Sequence, residues 1–261
     1  MSGEVTGGAA GRRVWVVLPT YNEAENIGPM VAALAALDLG LRVLVVDDDS
    51  PDGTARIAER LARRGAPVEV LCRRGERGLG SAYLAGFRRA LRSGAGAVLT
   101  MDCDFSHDPL EIPALVAALG SAHVVVGSRY AAGGRVENWG LHRKLLSATA
   151  NRFARSLFRM PAFDCTSGFR LYRREVLEAM PWARVRSTGY AFLVETLYWA
   201  SRLPGVEVRE VPIRFVDRFR GRGKMGAREV LGGVVNLLRL RAGLRRGERA
   251  GGRDPARAEE V

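Results

Sequence analysis

Two aspartates one residue apart, Asp102 and Asp104, follow an apolar run over residues 97–101. The run has the continuous apolar character of a buried parallel strand, and residues 105–109 then predict a loop. Carboxylates in that position offer hard oxygen ligands for Mg²⁺ or Mn²⁺ held jointly with substrate phosphates. Ligands of open α/β sheets bind at this strand edge. An isolated Asp-x-Asp pair is more often a pair of turn-forming acids, so the neighbouring segments carry the functional interpretation.

A second acidic segment, residues 47–54, follows the predicted strand 42–46. Its last three residues are explained by a turn with Thr54 as a helix N-cap. Asp47 and Asp48 are not explained in this way, because adjacent carboxylates repel each other unless a donor or cation neutralises them. A carboxylate there could accept the donors of a guanine edge or a ribose hydroxyl.

Two further strand-to-helix turns are candidates for anion binding. The first predicted strand ends in residues 19–23, Pro-Thr-Tyr-Asn-Glu, before a helix whose first N–H groups and dipole favour an anion. Glu23 and Glu25 are equally well explained as acids of the first helical turn. Residues 78–82 contain two glycines before another helix, and close packing of that helix explains them without a ligand.

The elements that must position these residues alternate along the first half of the chain. Their order, with Val- and Leu-rich strands, predicts an α/β fold whose mainly parallel sheet is covered by helices. From Trp139 onward the pattern becomes helical and basic. We expect one domain over residues 13–244, with disordered ends at 1–12 and 245–261. The predicted strands are 14–18, 42–46, 68–72, 97–101 and 124–127, and the predicted helices are 26–37, 54–64, 80–93 and 111–119.

Composition narrows the classes of partner. The 261 residues carry a net charge of +12, which favours anionic partners, and 47% of them are hydrophobic, as in a globular protein. No alternation of basic and aromatic residues suggests a nucleic-acid platform, so nucleic acid is not an expected partner. Cys72, Cys103 and Cys165 lack metal-ligand spacing and fit a reducing cytosol.

Two segments predict basic amphipathic helices, about 139–159 and 227–244. Such helices are typical of attachment to a membrane surface, although the same apolar stripes could pack on the sheet. No stretch reaches the roughly 20 apolar residues of a membrane span. We therefore expect a cytoplasmic protein, peripheral on the cytoplasmic face of the membrane; a separate membrane-spanning protein partner is left open. The apolar stripes are Leu146, Ala150, Phe153 and Leu157 in the first helix and Val230, Val234, Leu237 and Leu238 in the second.

Seven motifs in order resemble the inverting family 2 glycosyltransferases of the GT-A fold, which is Rossmann-like, and more narrowly the polyprenol (dolichol) phosphate mannose synthase group. The resemblance covers roughly residues 14–226, and each motif alone is weak. The motifs are Pro-Thr-Tyr-Asn-Glu at 19–23, Val-Asp-Asp at 46–48 with Ser-Pro-Asp-Gly-Thr at 50–54, Asp-x-Asp with Ser-His at 102–107, Gly-Ser-Arg-Tyr at 127–130, Asp-Cys-Thr-Ser-Gly-Phe-Arg at 164–170, Gly-Tyr-x-Phe at 189–192, and Asp-Arg-x-x-Gly ending in Lys at 217–224.

The resemblance implies a role for each matching residue. Asp104 would hold Mg²⁺ or Mn²⁺, and Ser106 falls where some relatives carry a Gln ligand. Asp102 and Cys103 would touch the ribose and diphosphate of the donor. Arg129, Arg218 and Lys224 would bind the diphosphate and the acceptor phosphate. The nucleoside pocket would be lined by Pro19, Tyr21, Glu23, Val46 and Asp48.

The reaction implied is inverting transfer of mannose from GDP-mannose to the phosphate of a polyprenyl monophosphate. Such a phosphate is largely dianionic at neutral pH and needs placement rather than deprotonation. Arg129 and Arg143, with Ser147, are the candidates for that placement, because guanidinium forks match phosphate oxygens. A solvated helix face is the alternative for Arg143.

Three other functions stay open from the residues. The same chemistry with UDP-glucose or another donor is the nearest, because acids and arginines bind phosphates rather than the base or sugar. A nucleotidyltransferase would be expected to carry a glycine-rich basic loop after the first strand, where residues 19–23 stand instead. A non-catalytic basic module for RNA or membrane is the third.

Overall fold

The computed structural model describes residues 13–216 and 236–243, except for the side chain of Tyr190. The predicted disorder at 1–12 and 245–261, most of the predicted helix 227–244, and the candidate ligands Arg218 and Lys224 lie outside these residues. Within the described ranges, nine strands and seven α-helices follow one another. The strands are β1 Val14–Thr20, β2 Arg42–Asp47, β3 Val68–Cys72, β4 Ala97–Thr100, β5 Val124–Ser128, β6 Arg135–Glu137, β7 Arg170–Arg173, β8 Val208–Pro212 and β9 Arg214–Val216. The helices are α1 Ala24–Ala35, α2 Thr54–Arg63, α3 Leu79–Arg92, α4 Ile112–Ala118, α5 Leu141–Phe158, α6 Arg174–Ala179 and α7 Gly189–Ala200.

Seven strands form one mixed sheet in the order β3-β2-β1-β4-β7-β5-β8, and β6 pairs with β9 in a separate ribbon. The strands β3, β2, β1 and β4 run parallel, with Val17 opposite both Leu44 and Thr100. Because they share one direction, the segments after β1, β2 and β4 meet at one edge of the sheet. The predicted α/β fold with a mainly parallel, helix-covered sheet is confirmed.

Two strands of the main sheet, β7 and the edge strand β8, were not predicted. β7 lies antiparallel between β4 and β5. It carries arginine at both ends, so it lacks the apolar run of a buried strand. The Arg170 side chain is nevertheless fully buried, because its guanidinium donates to the backbone carbonyls of Cys165 and Leu193 at 2.7 and 2.6 Å. Long-range carbonyl partners thus make an arginine acceptable inside the sheet.

The core has two layers, one on each face of the sheet. One cluster joins the sheet to α1, α2 and α4, and the other joins it to α3, α5, α6 and α7. Helix α3 packs closely: a Cβ at Gly86 would lie 2.5 Å from Val17 Cγ1, and one at Gly80 would lie 2.8 Å from the Phe192 ring. Close packing therefore explains Gly80, although its neighbour is Phe192 of α7 rather than the sheet, and it does not explain Gly78, which precedes the helix with a φ of 132°.

Helix α5 begins at Leu141, two residues after the predicted start, and ends at Phe158, which is followed by Arg159 in a left-handed conformation. Its inner face buries Asn151, Ala154 and Phe158. Of the predicted apolar stripe, Leu146 and Phe153 are exposed and Ala150 and Leu157 are half-buried. The helix thus uses one side of the stripe for packing and leaves the other at the surface, together with the exposed Leu141 and Leu145.

Residues 236–243 are helical. Leu237 packs into the core cluster beside α5 and α7, whereas Leu238 is half exposed. The prediction that both belong to one membrane-facing stripe is wrong for Leu237, because the protein itself covers that side chain. Among the residues described, no helix has both the length and the apolar character needed to cross a bilayer.

Candidate functional site

The carboxyl edge of β1, β2 and β4 opens into a cavity of about 330 Å³. The acidic lining residues come from the ends of these strands and the segments after them, and further lining residues come from the start of α3. Parallel register brings these segments together although they are far apart in sequence. The lining residues are Pro19, Thr20, Tyr21, Glu23, Asp48, Arg77, Gly78, Leu79, Ala82, Asp102, Cys103 and Asp104.

The loop after β4 is fixed by hydrogen bonds among its own residues. Asp104 is almost fully buried, and its Oδ1 accepts from the backbone N–H of Ser106 at 3.1 Å and from its hydroxyl at 2.6 Å. His107 Nδ1 accepts from the backbone N–H of Asp102 at 3.0 Å. Burial lowers the pKa of His107 and outweighs the opposing charges of Asp102 and Asp104. A neutral histidine with its proton on Nε2 therefore fixes the backbone of the Asp-x-Asp segment.

The two aspartates at the end of β2 each have specific hydrogen-bond or ion-pair partners. Asp47 Oδ2 accepts from the hydroxyls of Thr20 and Ser50 at 2.9 and 2.6 Å. Asp48 is paired with the buried guanidinium of Arg73, and its Oδ2 accepts from Gly78 N–H at 2.9 Å. Arg73, just after β3, was not singled out from the sequence. Asp48 therefore lines the cavity as an ion-paired carboxylate rather than as a free one.

The turns at this edge are tied to each other by the segment 50–54. Asp52, rather than the predicted Thr54, accepts at the start of α2, through Thr54 N–H at 3.0 Å. Asp52 also accepts from Ala24 N–H at 2.9 Å and so ties α1 to α2. Burial raises the pKa of Asp52, but the hydrogen bonds from Thr54 and Ala24 outweigh burial and leave that pKa below its usual value.

The mouth of the cavity carries an exposed aromatic ring under a cation. The Arg77 guanidinium carbon lies 4.4 Å from the centre of the Tyr21 ring. Glu23 lines the same side and accepts from the side chain of Asn26 at 2.6 Å. Arg77 was not predicted; its position directly before the glycine-containing segment 78–82 is the signal that could have found it.

A second cluster lies after β5 and at the start of α5. Arg129 pairs with the fully buried Asp164, donating through Nε and Nη2 at 2.7 Å each, and Nη2 also donates to Thr166 at 2.7 Å. Burial raises the pKa of Asp164, but the charge and hydrogen bonds of Arg129 outweigh burial and hold that pKa below its usual value. The motifs at 127–130 and 164–170 are thus joined by one buried ion pair.

Arg143 and Ser147 lie one helical turn apart on the half-buried face of α5, near Arg129. The Arg143 guanidinium carbon is 4.1 Å from the centre of the Trp139 ring, and that of Arg129 is 5.8 Å from it. The Ser147 hydroxyl accepts from the Tyr130 hydroxyl at 2.8 Å. All three predicted phosphate-binding residues therefore belong to one neighbourhood, and Arg143 is packed on an indole rather than lying on a solvated face.

The predicted donor-binding residues fall into three groups. Most of the predicted donor-binding residues line the cavity, including Asp102, Cys103 and Asp104. Val46 does not: its side chain is fully buried against α3. Arg218 and Lys224 lie outside the described residues. Cys103 is buried, which raises the pKa of its thiol well above the usual value, so it contributes a neutral wall.

The oxygen ligands that the protein offers suit a hard cation only if substrate oxygens complete its coordination. Among the described residues, no cluster of three His, Cys, Asp or Glu side chains could hold a metal alone. Asp104 lines the cavity beside the partly exposed Asp102, whereas the predicted ligand Ser106 is not among the lining residues and its hydroxyl donates to Asp104. Mg²⁺ and Mn²⁺ are commonly bound by one or two carboxylates together with diphosphate oxygens and water, so these residues fit such an ion.

Comparison with known proteins agrees with this arrangement. Two solved structures resemble the fold: glucosyl-3-phosphoglycerate synthase from Mycobacterium tuberculosis with Mn²⁺, UDP and phosphoglyceric acid (TM-score 0.63, 21% identity, 87% of this chain and 79% of that one), and a mannosyltransferase from Pyrobaculum calidifontis with GDP-mannose and Mn²⁺ (TM-score 0.54, 19% identity, 91% of this chain and 66% of that one). They show the fold alone.

Sequence comparison shows the family as well as the fold. Polyprenol monophosphomannose synthase of Mycolicibacterium smegmatis is 42% identical, over 84% of this chain and 83% of its own length. Undecaprenyl-phosphate mannosyltransferase of Micrococcus luteus is 40% identical, over 87% of this chain and 93% of its own. The model of glycosyl transferase family 2 matches residues 15–180. This chain belongs to glycosyl transferase family 2.

Proposed function

We propose that this glycosyltransferase moves mannose from GDP-mannose to the phosphate of a polyprenyl monophosphate, with inversion, giving polyprenyl-phosphate mannose and GDP. The observation that carries this proposal is the similarity, over more than four fifths of the chain, to two proteins named for that chemistry. The cavity and the arginine cluster beside α5 supply the two binding functions that the reaction needs.

The donor half is the cavity at the edge of β1, β2 and β4. Tyr21 and Arg77 frame its mouth, where a flat base can lie against a ring or a guanidinium. Asp48 contributes a carboxylate whose orientation is fixed by Arg73. Asp102 and Asp104 lie at the end where a diphosphate and its cation would bind.

Charge develops on the leaving diphosphate as the bond to the anomeric carbon breaks. When bound at Asp104, Mg²⁺ or Mn²⁺ supplies positive charge to that leaving group. The protein holds Asp104 through two hydrogen bonds from Ser106, so the carboxylate does not have to reorganise during the reaction.

The acceptor half is the cluster of Arg129, Arg143 and Ser147. A phosphate dianion is already a nucleophile, so this half has to hold it in line with the anomeric carbon rather than remove a proton. A guanidinium can hold two phosphate oxygens at once and leave a third to attack. The Nε–Nη2 fork of Arg129 already binds Asp164, so Arg143 is the candidate for that bidentate contact. No base among the acids of the cavity is required by this mechanism.

A lipid acceptor requires access to a membrane surface. Leu141 and Leu145 on the outer face of α5 are 78% and 67% exposed, close to the predicted acceptor residues Arg143 and Ser147. Basic Lys144 and Arg152 are exposed on the same helix. Exposed leucines beside basic residues are typical of helices that lie in the interface of an anionic membrane. We propose peripheral attachment through this face.

The test is transfer of radiolabel to bacterial polyprenyl phosphate, with GDP-mannose and UDP-glucose run in parallel. We expect label in the lipid from GDP-mannose only, and its loss on chelation of divalent cations. Label from UDP-glucose but not from GDP-mannose would show that UDP-glucose is the donor instead. Absence of transfer from either, with tight salt-dependent RNA binding instead, would favour the non-catalytic alternative.

A further inference from the structure

Three aromatic side chains form a continuous column between the two halves of the site. The Trp139 ring meets the Phe215 ring edge-on at 5.4 Å between centres, and Phe215 meets His107 edge-on at 5.5 Å. His107 in turn stacks on Phe169 at 5.0 Å. We call Trp139, Phe215 and His107 the aromatic column.

One end of the aromatic column carries both acceptor arginines. The guanidinium of Arg143 lies over Trp139 at 4.1 Å, and that of Arg129 lies 5.8 Å from Trp139 and 5.3 Å from Phe215. Ring faces attract cations and restrict where a guanidinium can move. Trp139 thus holds Arg143 beside Arg129, which Asp164 fixes and the rings border, so two guanidiniums share one neighbourhood as a phosphate dianion requires.

The other end carries the Asp-x-Asp loop. His107 Nδ1 accepts from the backbone N–H of Asp102 at 3.0 Å, and Ser106, the next residue, binds Asp104. The backbone of Phe215 forms an isolated β-bridge with His107, and Val216 N–H donates to the Ser106 carbonyl at 3.4 Å. Strand β9 is thus fixed to the loop by its backbone and to Trp139 by its side chain.

We propose that the aromatic column is a positioning element that sets the spacing between the acceptor arginines and the Asp-x-Asp loop. The proposal rests on the proposed function, because it concerns the alignment of acceptor phosphate and donor. Phe215 is its central member and touches neither substrate site through a charged or hydrogen-bonding group. Misalignment slows the chemical step even when each substrate still binds, because in-line attack tolerates little displacement.

The test compares Phe215→Leu, Trp139→Leu and the double variant, with donor varied up to saturation at saturating acceptor. We expect each single variant to lose about tenfold in kcat, with the KM for donor within about twofold of wild type. If the two residues act as one unit, the second substitution removes little that the first has not already removed. The kcat of the double variant should therefore lie within about twofold of that of the poorer single variant. Phe215→Tyr, which keeps the ring, should retain most of the kcat.

Phe87→Leu is the matched control. Phe87 is buried in the α3 core, among the rings of Tyr83, Tyr172 and Trp182, and contacts no member of the aromatic column. Its variant should lose stability but keep kcat per folded molecule. The proposal would be overturned if Phe87→Leu lost as much kcat as Phe215→Leu, or if the kcat of folded Phe215→Leu were unchanged. It would also be overturned if the kcat losses of the two single variants multiplied in the double variant. If Phe215→Leu does not fold, an unchanged kcat in Trp139→Leu would overturn it.

Failure of the proposed function can be distinguished from failure of this proposal about the aromatic column. It would show in the wild type, as transfer from another nucleotide sugar or to another phosphate acceptor. The same variants are then compared with the substrates that the wild type does use, and the same kcat pattern decides the role of the aromatic column.

Discussion

Arg73 holds Asp48 at the end of β2, with Nε 2.8 Å and Nη2 2.6 Å from Oδ1. The same guanidinium donates to the Gly78 carbonyl at 3.3 Å, while Gly78 N–H donates to Asp48 Oδ2 at 2.9 Å. Gly78 has a φ of 132°, a backbone conformation that favours glycine. One buried ion pair thus fixes both an acid of the cavity and the loop that carries Arg77.

Arg73→Met should lower the free energy of unfolding by about 3–5 kcal/mol, because it leaves the Asp48 carboxylate unpaired in a buried position. It should also raise the KM for donor. Denaturant titration and initial rates measure the two effects. The control is Arg89→Met, which breaks the exposed pair with Glu69 and should cost about 0–1 kcal/mol. Similar losses in both variants would contradict the structural role of Arg73.

Asp104→Ala should abolish transfer, by about a hundredfold or more in kcat, because the carboxylate that holds the cation is gone. The fold should remain, as judged by circular dichroism. Asp49→Asn is the control at the same edge of the sheet: Asp49 is exposed, and its φ of 58° is tolerated by asparagine. Substantial turnover in Asp104→Ala would remove the metal role assigned to this residue.

Arg129→Ala and Arg143→Ala should weaken use of the acceptor, raising its KM by about tenfold, with donor binding less affected. Arg129→Ala should in addition destabilise the protein, because it leaves Asp164 buried without its charge partner. Initial rates with varied acceptor and varied donor separate the effects. Arg56→Ala, on the exposed surface of α2, should change neither. Equal loss of donor and acceptor binding would show that Arg129 and Arg143 are wrongly assigned to the acceptor phosphate.

The Asp164–Arg129 pair predicts a loss of stability at acid pH. The pKa of Asp164 is lowered in the folded state, so the carboxylate stabilises the protein above its unfolded pKa of about 4, and this contribution disappears as the pH falls through the folded pKa. Denaturant titrations from pH 7 to 3 should therefore show a steeper loss in wild type than in Asp164→Asn. Asp38→Asn, at an exposed turn, should keep the wild-type slope.

The outer face of α5 should carry membrane binding. Leu141→Ser with Leu145→Ser should reduce binding to vesicles that contain anionic lipid by about tenfold or more, because two apolar side chains no longer enter the interface. Cosedimentation measures the bound fraction. Leu110→Ser is the control, since Leu110 is 76% exposed but lies outside α5. An equal effect of Leu110→Ser would argue against a specific face.

The acidic strand ends were predictable because their signals are local. An apolar run followed by Asp102 and Asp104 needs only neighbouring residues to be recognised, and parallel strands place such ends at one edge. The resemblance to the family, rather than this reasoning, predicted that Asp48 and Tyr21 share one pocket, and both line the cavity. The ordered motifs predicted the family, which sequence comparison confirmed.

Pairings across long stretches of chain were decided only by the tertiary structure. Arg73 meets Asp48 across 25 residues and Arg129 meets Asp164 across 35, and no periodicity of either segment encodes such a partner. Strand β7 was hidden for the same reason, since Arg170 is acceptable in the sheet only through distant carbonyls. Local sequence fixes which residues end a strand, whereas the partner of a buried charge depends on which segments the whole fold brings beside it.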